Sequence, residues 1–117
     1  MSPSNQCSEM SRQVSPAELA ELLKSPCPPH LLDVREFEEH GLVALPKSKL
    51  IPLGELAQRL AEIEGWKEEA IVVYCHHGIR SLHAIGLLRH FGFANLGNLA
   101  GGVDRWACEI DTDLPRY

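Results

Sequence analysis

Apolar positions in this chain change their spacing several times, and each change marks an element. Ile71-Val72-Val73-Tyr74 is unbroken apolar sequence with Ala70 ahead of it. That run predicts a strand over 70–74, and its continuous apolarity suits a central parallel strand covered on both faces. Leu31-Leu32-Asp33-Val34 predicts another strand, and two more are expected over 49–51 and 95–99. Between them the spacing lengthens to three and four. Leu19, Leu22 and Leu23 form the apolar face of a helix that opens with Ser15-Pro16-Ala17-Glu18. Ser15 can cap it, Pro16 suits its first position, and Glu18 completes a capping box. Pro26 stops this helix, and Pro28-Pro29 turns the chain into the next strand. Residues 35–40 read as one helical turn ended by Gly41. Leu53, Leu56, Leu60 and Ile63 predict an amphipathic helix over 53–64, closed by Gly65. From 78 to 90 the pattern is helical again, with Leu82, Ile85, Leu88 and Phe91 expected inward. Gly101-Gly102 precedes a short helix carrying Trp106.

Strands and helices that alternate through short links imply an α/β fold, a parallel sheet with helices on both faces. Residues 1–9 are rich in Ser, Pro and Asn and are expected to be a frayed tail, which leaves 10–117 as the domain. At 117 residues, 44% hydrophobic and 23% charged, the chain is long enough for one real core and reads as globular. A net charge of −5 without any Lys/Arg cluster excludes a general nucleic-acid binder. No segment has the length and apolarity of a membrane span, and the first ten residues lack a signal peptide's basic start and apolar middle. A cytoplasmic location is therefore expected, where the four cysteines need not pair.

In such sheets the site lies beyond the carboxyl ends of the strands, and Cys75 falls there. It is followed by His76-His77-Gly78-Ile79-Arg80-Ser81 and then by the helical pattern. Loop N–H groups and a helix N-terminus both favour thiolate over thiol, and Arg80 adds a fixed cation. A thiolate is the reactive form, so the pattern points to sulfur chemistry. Two plainer readings stand beside it. Cys75 could be a small buried hydrophobe, which is the expectation for Cys7, Cys27 and Cys108. Cys75, His76 and His77 could also belong to a metal site, but loop neighbours rarely all ligate one ion and no second pair stands at zinc-finger spacing.

Three motifs carry a family resemblance: Leu32-Asp33-Val34-Arg35-Glu36, then residues 71–81 from Ile71 through the Cys75 loop to Ser81, then Leu99-Ala100-Gly101-Gly102-Val103-Asp104-Arg105-Trp106. In this order the chain resembles a single-domain rhodanese, a sulfurtransferase, from Ser15 onward. The closing stretch 110–117 is similar to a tail seen on many such domains. The resemblance implies a five-stranded parallel sheet and a persulfide-carrying Cys75. It also implies a small anionic sulfur donor such as thiosulfate, and a thiol, cyanide or carrier protein as acceptor. Arg80 is expected to attract the donor and hold the loop, so that Arg80→Ala slows persulfide formation more than it destabilises the fold. His76, His77, Gly78 and Ile79 form the persulfide-binding loop, with Gly78 letting the chain fold back so that N–H groups converge. One departure is Ala44-Leu45-Pro46-Lys47-Ser48, where many members carry His-Ile-Pro-Gly-Ala. It touches loop geometry rather than the nucleophile.

Asp33 and Arg35 allow two readings. They could line the pocket mouth, or form a structural ion pair or cap. The second is favoured for Asp33, because a carboxylate beside a thiolate would raise the thiol pKa. The remaining histidines, and His76 and His77 in the plainer reading, are expected at the surface, and Trp66 and Trp106 in packing. No metal or organic cofactor is implied. Rival functions are a Cys-based phosphatase or arsenate reductase, a non-turnover sulfur-relay carrier loaded by a desulfurase, and a regulatory binding module. The first needs a longer loop than the four residues between Cys75 and Arg80 provide.

Overall fold

The computed structural model describes residues 11–117; the tail expected over 1–9 lies outside the described residues. Strands β1 (Ser11–Val14), β2 (His30–Asp33), β3 (Lys49–Leu50), β4 (Ile71–Tyr74) and β5 (Leu96–Leu99) form one sheet in the order β1-β5-β4-β2-β3. All pairings are parallel. Helices α1 (Pro16–Leu23), α2 (Phe37–Leu42) and α3 (Arg80–His90) lie in the β1–β2, β2–β3 and β4–β5 connections, and α4 (Gly102–Glu109) follows β5. Ser15 caps α1 by accepting the Glu18 N–H, and Pro16 stands in the first turn.

The pleat of β4 assigns the two layers. Ile71, Val73 and Cys75 pack on one face with Ala84, Ile85 and Leu88 of α3 and with Leu56 and Ile63. Val72 and Tyr74 pack on the other with Leu19 of α1 and with Val103 and Trp106 of α4. All four residues of β4 are buried, as a strand covered on both sides must be. From β2 the chain steps outward to the β3 edge, whereas from β4 it steps the other way to β5. The switch point therefore lies between β2 and β4, and the crevice at their carboxyl ends is where such sheets bind ligands. Pairing runs one step past the strands, with Val34 N–H donating to the Tyr74 carbonyl at 3.1 Å. Arg35 and the Cys75 loop thus leave the sheet side by side.

Several expectations need correction. The stretch over 53–64 is two 3₁₀ helices, Leu53–Gln58 and Leu60–Trp66, meeting at Arg59. Leu53–Leu56 and Leu60–Ile63 are each three apart, which fits a three-residue turn, and the one gap of four falls on the break. Gly41 and Gly65 lie inside their elements instead of ending them. In α3 the inward stripe is Ser81, Ala84, Ile85 and Leu88, while Leu82, and Phe91 just past the helix end, are exposed. A polar residue on the inward face shifts the apparent phase. Cys27 and Cys108 are exposed, not buried. Among the described residues no helix is long and apolar enough to cross a membrane.

Candidate active site

The thiol sits in a ring of donors made by the loop that joins β4 to α3. Cys75 Sγ accepts the Gly78 N–H at 3.1 Å, and the Ser81 hydroxyl stands 3.5 Å away. Gly78 makes this possible with φ +102°, a left-handed turn that returns the chain toward the sulfur. Burial pushes the Cys75 thiol up, but the Ser81 hydroxyl and the N–H groups of Ser81, Gly78 and Arg80 outweigh it and hold the pKa below the ordinary thiol value. The side chain is only 1% exposed. The site can therefore stabilise a sulfur anion away from bulk water.

A buried polar chain supports the ring from behind. Ser81 donates its hydroxyl to Asn98 Oδ1, and Asn98 Nδ2 donates to the Gly78 carbonyl at 3.3 Å and to Gln13 Oε1 at 3.0 Å. Asn98 is the residue the sequence reading passed over. A lone amide inside the otherwise apolar strand Leu96–Leu99, buried to 3% exposure, was the available signal.

The other side of the loop is fixed by the start of α4. Val103 N–H donates to the Cys75 carbonyl at 2.9 Å and Asp104 N–H to the His76 carbonyl at 3.1 Å. With these carbonyls turned outward toward α4, the loop is free to aim its own N–H groups at the sulfur. Gly102 lies against the same two carbonyls, so the second glycine of the third motif has a steric reason.

Arg80 does not point freely into solvent. It grips Glu39 of α2 through two bonds of 2.7 and 2.9 Å, and Tyr117 donates its hydroxyl to the same carboxylate. Glu39 is held at a pKa of about 2, first by Arg80. Arg35 is fully buried and commits its guanidinium to Asp33, to the Val43 carbonyl and to the Tyr117 hydroxyl. Asp33 both pairs with Arg35 and caps the turn by accepting the Arg35 N–H at 3.0 Å, and it also meets His40 Nδ1 at 2.7 Å. Ile79 is 65% exposed. His77 is exposed, but His76 is mostly buried, stacked between His77 and Tyr117 with ring centroids 3.9 Å away on each side. Its imidazole is kept below the usual pKa by burial and by His77. The C-terminal segment thus forms one wall of the site. One group of metal-ligand side chains, His76, His77 and Asp104, also gathers here.

The fold has solved counterparts. A rhodanese-like domain protein from Staphylococcus aureus aligns with TM-score 0.77 and 27% identity, covering 92% of this chain and 99% of that one. The human single-domain sulfurtransferase TSTD1 aligns with TM-score 0.72 and 30% identity, covering 85% and 97%. In sequence, the adenylyltransferase and sulfurtransferase MOCS3-2 of Zea mays is 38% identical over 95 residues, which is 76% of this chain but 20% of that protein. The chain spans about a fifth of the length of that relative. Residues 15–109 match the Rhodanese-like domain, and with the fold and three motifs in agreement the chain belongs to that family.

Proposed function

We propose that this chain is a sulfurtransferase that carries sulfane sulfur on Cys75. Family membership, with sulfurtransferases among the similar proteins, supports sulfur transfer as the class of chemistry. The observation that carries the reading is the ring of donors around Cys75 Sγ, which suits an anionic sulfur, on a loop of four residues between Cys75 and Arg80 that is shorter than a phosphoryl cradle needs. The Cys75 thiolate attacks the outer sulfur of an anionic donor such as thiosulfate. A new S–S bond forms, the donor S–S bond breaks, and sulfite leaves with the electron pair. The terminal sulfur of the persulfide carries the charge and needs the loop N–H groups of residues 76–80 as donors. A thiophilic acceptor then attacks that sulfur, and Cys75 leaves as thiolate.

Arg80 holds the loop to α2 through Glu39, and Arg35 acts from within the β2 end through Asp33 and Tyr117 rather than at the sulfur. A protein donor, such as a desulfurase or a sulfur carrier, is the second reading. It is favoured by Ile79 and Leu82, one helical turn apart at the loop and both exposed (65% and 45%). Intact mass of the reduced chain after thiosulfate, and again after cyanide, tests the proposal. One added sulfur that maps to Cys75, disappears with cyanide and is absent from Cys75→Ser is expected. No sulfur from thiosulfate but loading by a desulfurase selects the relay reading, and no loading from either refutes both.

A further inference from the structure

Beside the sulfur cradle, but using none of its donors, three ligand-type side chains converge from two elements. His76 and His77 come from the loop, and Asp104 comes from the first turn of α4. Their ligand atoms all lie within 4.8 Å of one another. His77 Nε2 is 3.7 Å from Asp104 Oδ2, and His76 Nε2 is 4.0 Å from Asp104 Oδ1. These gaps are too long for hydrogen bonds. They are slightly longer than the edge of about 3.3 Å that tetrahedral zinc with bonds of about 2.0–2.1 Å imposes on its ligands.

A second observation points the same way. Among the described residues, His76 Nε2 is the buried side-chain nitrogen that finds no hydrogen-bond partner. Such an atom is costly, and metal coordination is one way to satisfy it. The ring cannot easily turn away, because His77 and Tyr117 stack on its two faces. His77 is 64% exposed, so its ring can leave the stack and swing Nε2 toward the ion. The sequence argument that loop neighbours rarely share an ion left out a third ligand brought by a distant helix.

We propose that His76 Nε2, His77 Nε2 and the Asp104 carboxylate form a binding site for a divalent ion of the zinc class, with at least one position open to water. Two imidazoles and a carboxylate suit such an ion, and no thiolate is required. The competitor is Arg116, which grips Asp104 at 3.0 and 3.1 Å. Its side chain is 58% exposed, so it can withdraw into water when an ion takes the carboxylate. The ion would then replace one cation by another next to the loop, and would tie the loop to α4.

Titration of the reduced 117-residue chain with Co²⁺, and competition by Zn²⁺, tests this. One equivalent of Co²⁺ with the intense visible bands of a four-coordinate ion is expected, without a sulfur-to-cobalt charge-transfer band. His77→Ala and Asp104→Asn should each weaken binding by about tenfold or more. Arg116→Ala should strengthen it by about two- to fivefold, the reach of one exposed ion pair. That opposite sign cannot come from damage to the fold. A sulfur-to-cobalt band would show capture by a cysteine and overturn the assignment. So would affinity that ignores His77→Ala and Asp104→Asn, or Arg116→Ala binding no tighter than the parent chain.

Discussion

Replacing Gly102 with alanine puts a methyl group where the structure has the backbone of the reactive loop. The new Cβ would lie 2.3 Å from the His76 carbonyl oxygen, 2.4 Å from its carbon and 2.5 Å from the Cys75 carbonyl oxygen. Ordinary contact needs a full ångström more, so the carbonyls of Cys75 and His76 or the start of α4 must retreat. These carbonyls are held there by the Val103 and Asp104 N–H groups at 2.9 and 3.1 Å, and any retreat stretches both bonds. Two such bonds are worth about 1–3 kcal/mol together. The φ of +64° at Gly102 adds about 1–2 kcal/mol for any L-residue. The expected loss is therefore about 2–5 kcal/mol, a large share of the stability of a domain this size. Urea denaturation measures it. In the fraction that folds, iodoacetamide should modify Cys75 more slowly, scored by peptide mass, because the displaced loop no longer aims its N–H groups at the sulfur. Gly54→Ala is the matched control, since nothing lies within 4 Å of its would-be Cβ. If Gly102→Ala cost less than about 1 kcal/mol and left Cys75 reactivity unchanged, the packing of α4 against the loop would not be what shapes the site.

Three further outcomes follow from the same geometry. Arg35→Ala strands the buried Asp33 carboxylate, whose remaining side-chain partner is His40, and should lower stability by about 3–5 kcal/mol in urea; full rescue by Arg35→Lys would contradict the role of the planar fork. Glu39 titrates at about 2 instead of its ordinary 4.5, a depressed carboxylate, so its contribution is fully present above pH 4.5 and is lost as pH falls toward 2. With solvent screening that contribution is about 1 kcal/mol, and Glu39→Gln should remove it at pH 7 while differing little from the parent near pH 2; an equal gap at both would refute the assignment. Ser81→Ala removes the hydroxyl that stands 3.5 Å from the sulfur and ties Asn98 behind the loop, and should slow Cys75 alkylation at neutral pH by about two- to tenfold with the fold retained, whereas an unchanged rate would remove Ser81 from the site.

What the sequence made legible is what is local. The Cys75 loop was readable because strand, loop and helix follow one another without interruption, and β4 announced itself by apolarity on both faces. Partners contributed from afar were not. Glu39 meets Arg80 across 41 residues and Tyr117 meets Arg35 across 82, distances over which no periodicity carries information. The phase of α3 was misread because the inward position nearest the sulfur is a serine, kept there by its hydroxyl contacts and not by hydrophobicity. Strand β1 was missed for a related reason. Ser11-Arg12-Gln13-Val14 has no apolar alternation, and it is a strand because β5 offers it an edge. The cysteines at 27 and 108 show that the general preference of cysteine for the interior does not place any one of them.

The closing of the site by Tyr117 has a consequence for how the protein is made. The ribosome delivers the β2 end and Arg35 before Cys75, and Cys75 before α4 and Tyr117. Parallel strands cannot pair until their crossovers exist, and β1 must wait for β5 before it has a neighbour. At about 5–20 residues per second, the thiol of Cys75 spends seconds in a nascent chain that lacks the α4 amides behind it and the aromatic wall beside it. During that interval it is an ordinary cysteine. The lowered pKa that the folded loop imposes on it is acquired only after Val103 and Asp104 have been made, so the environment of the thiol and the completed sheet arrive together.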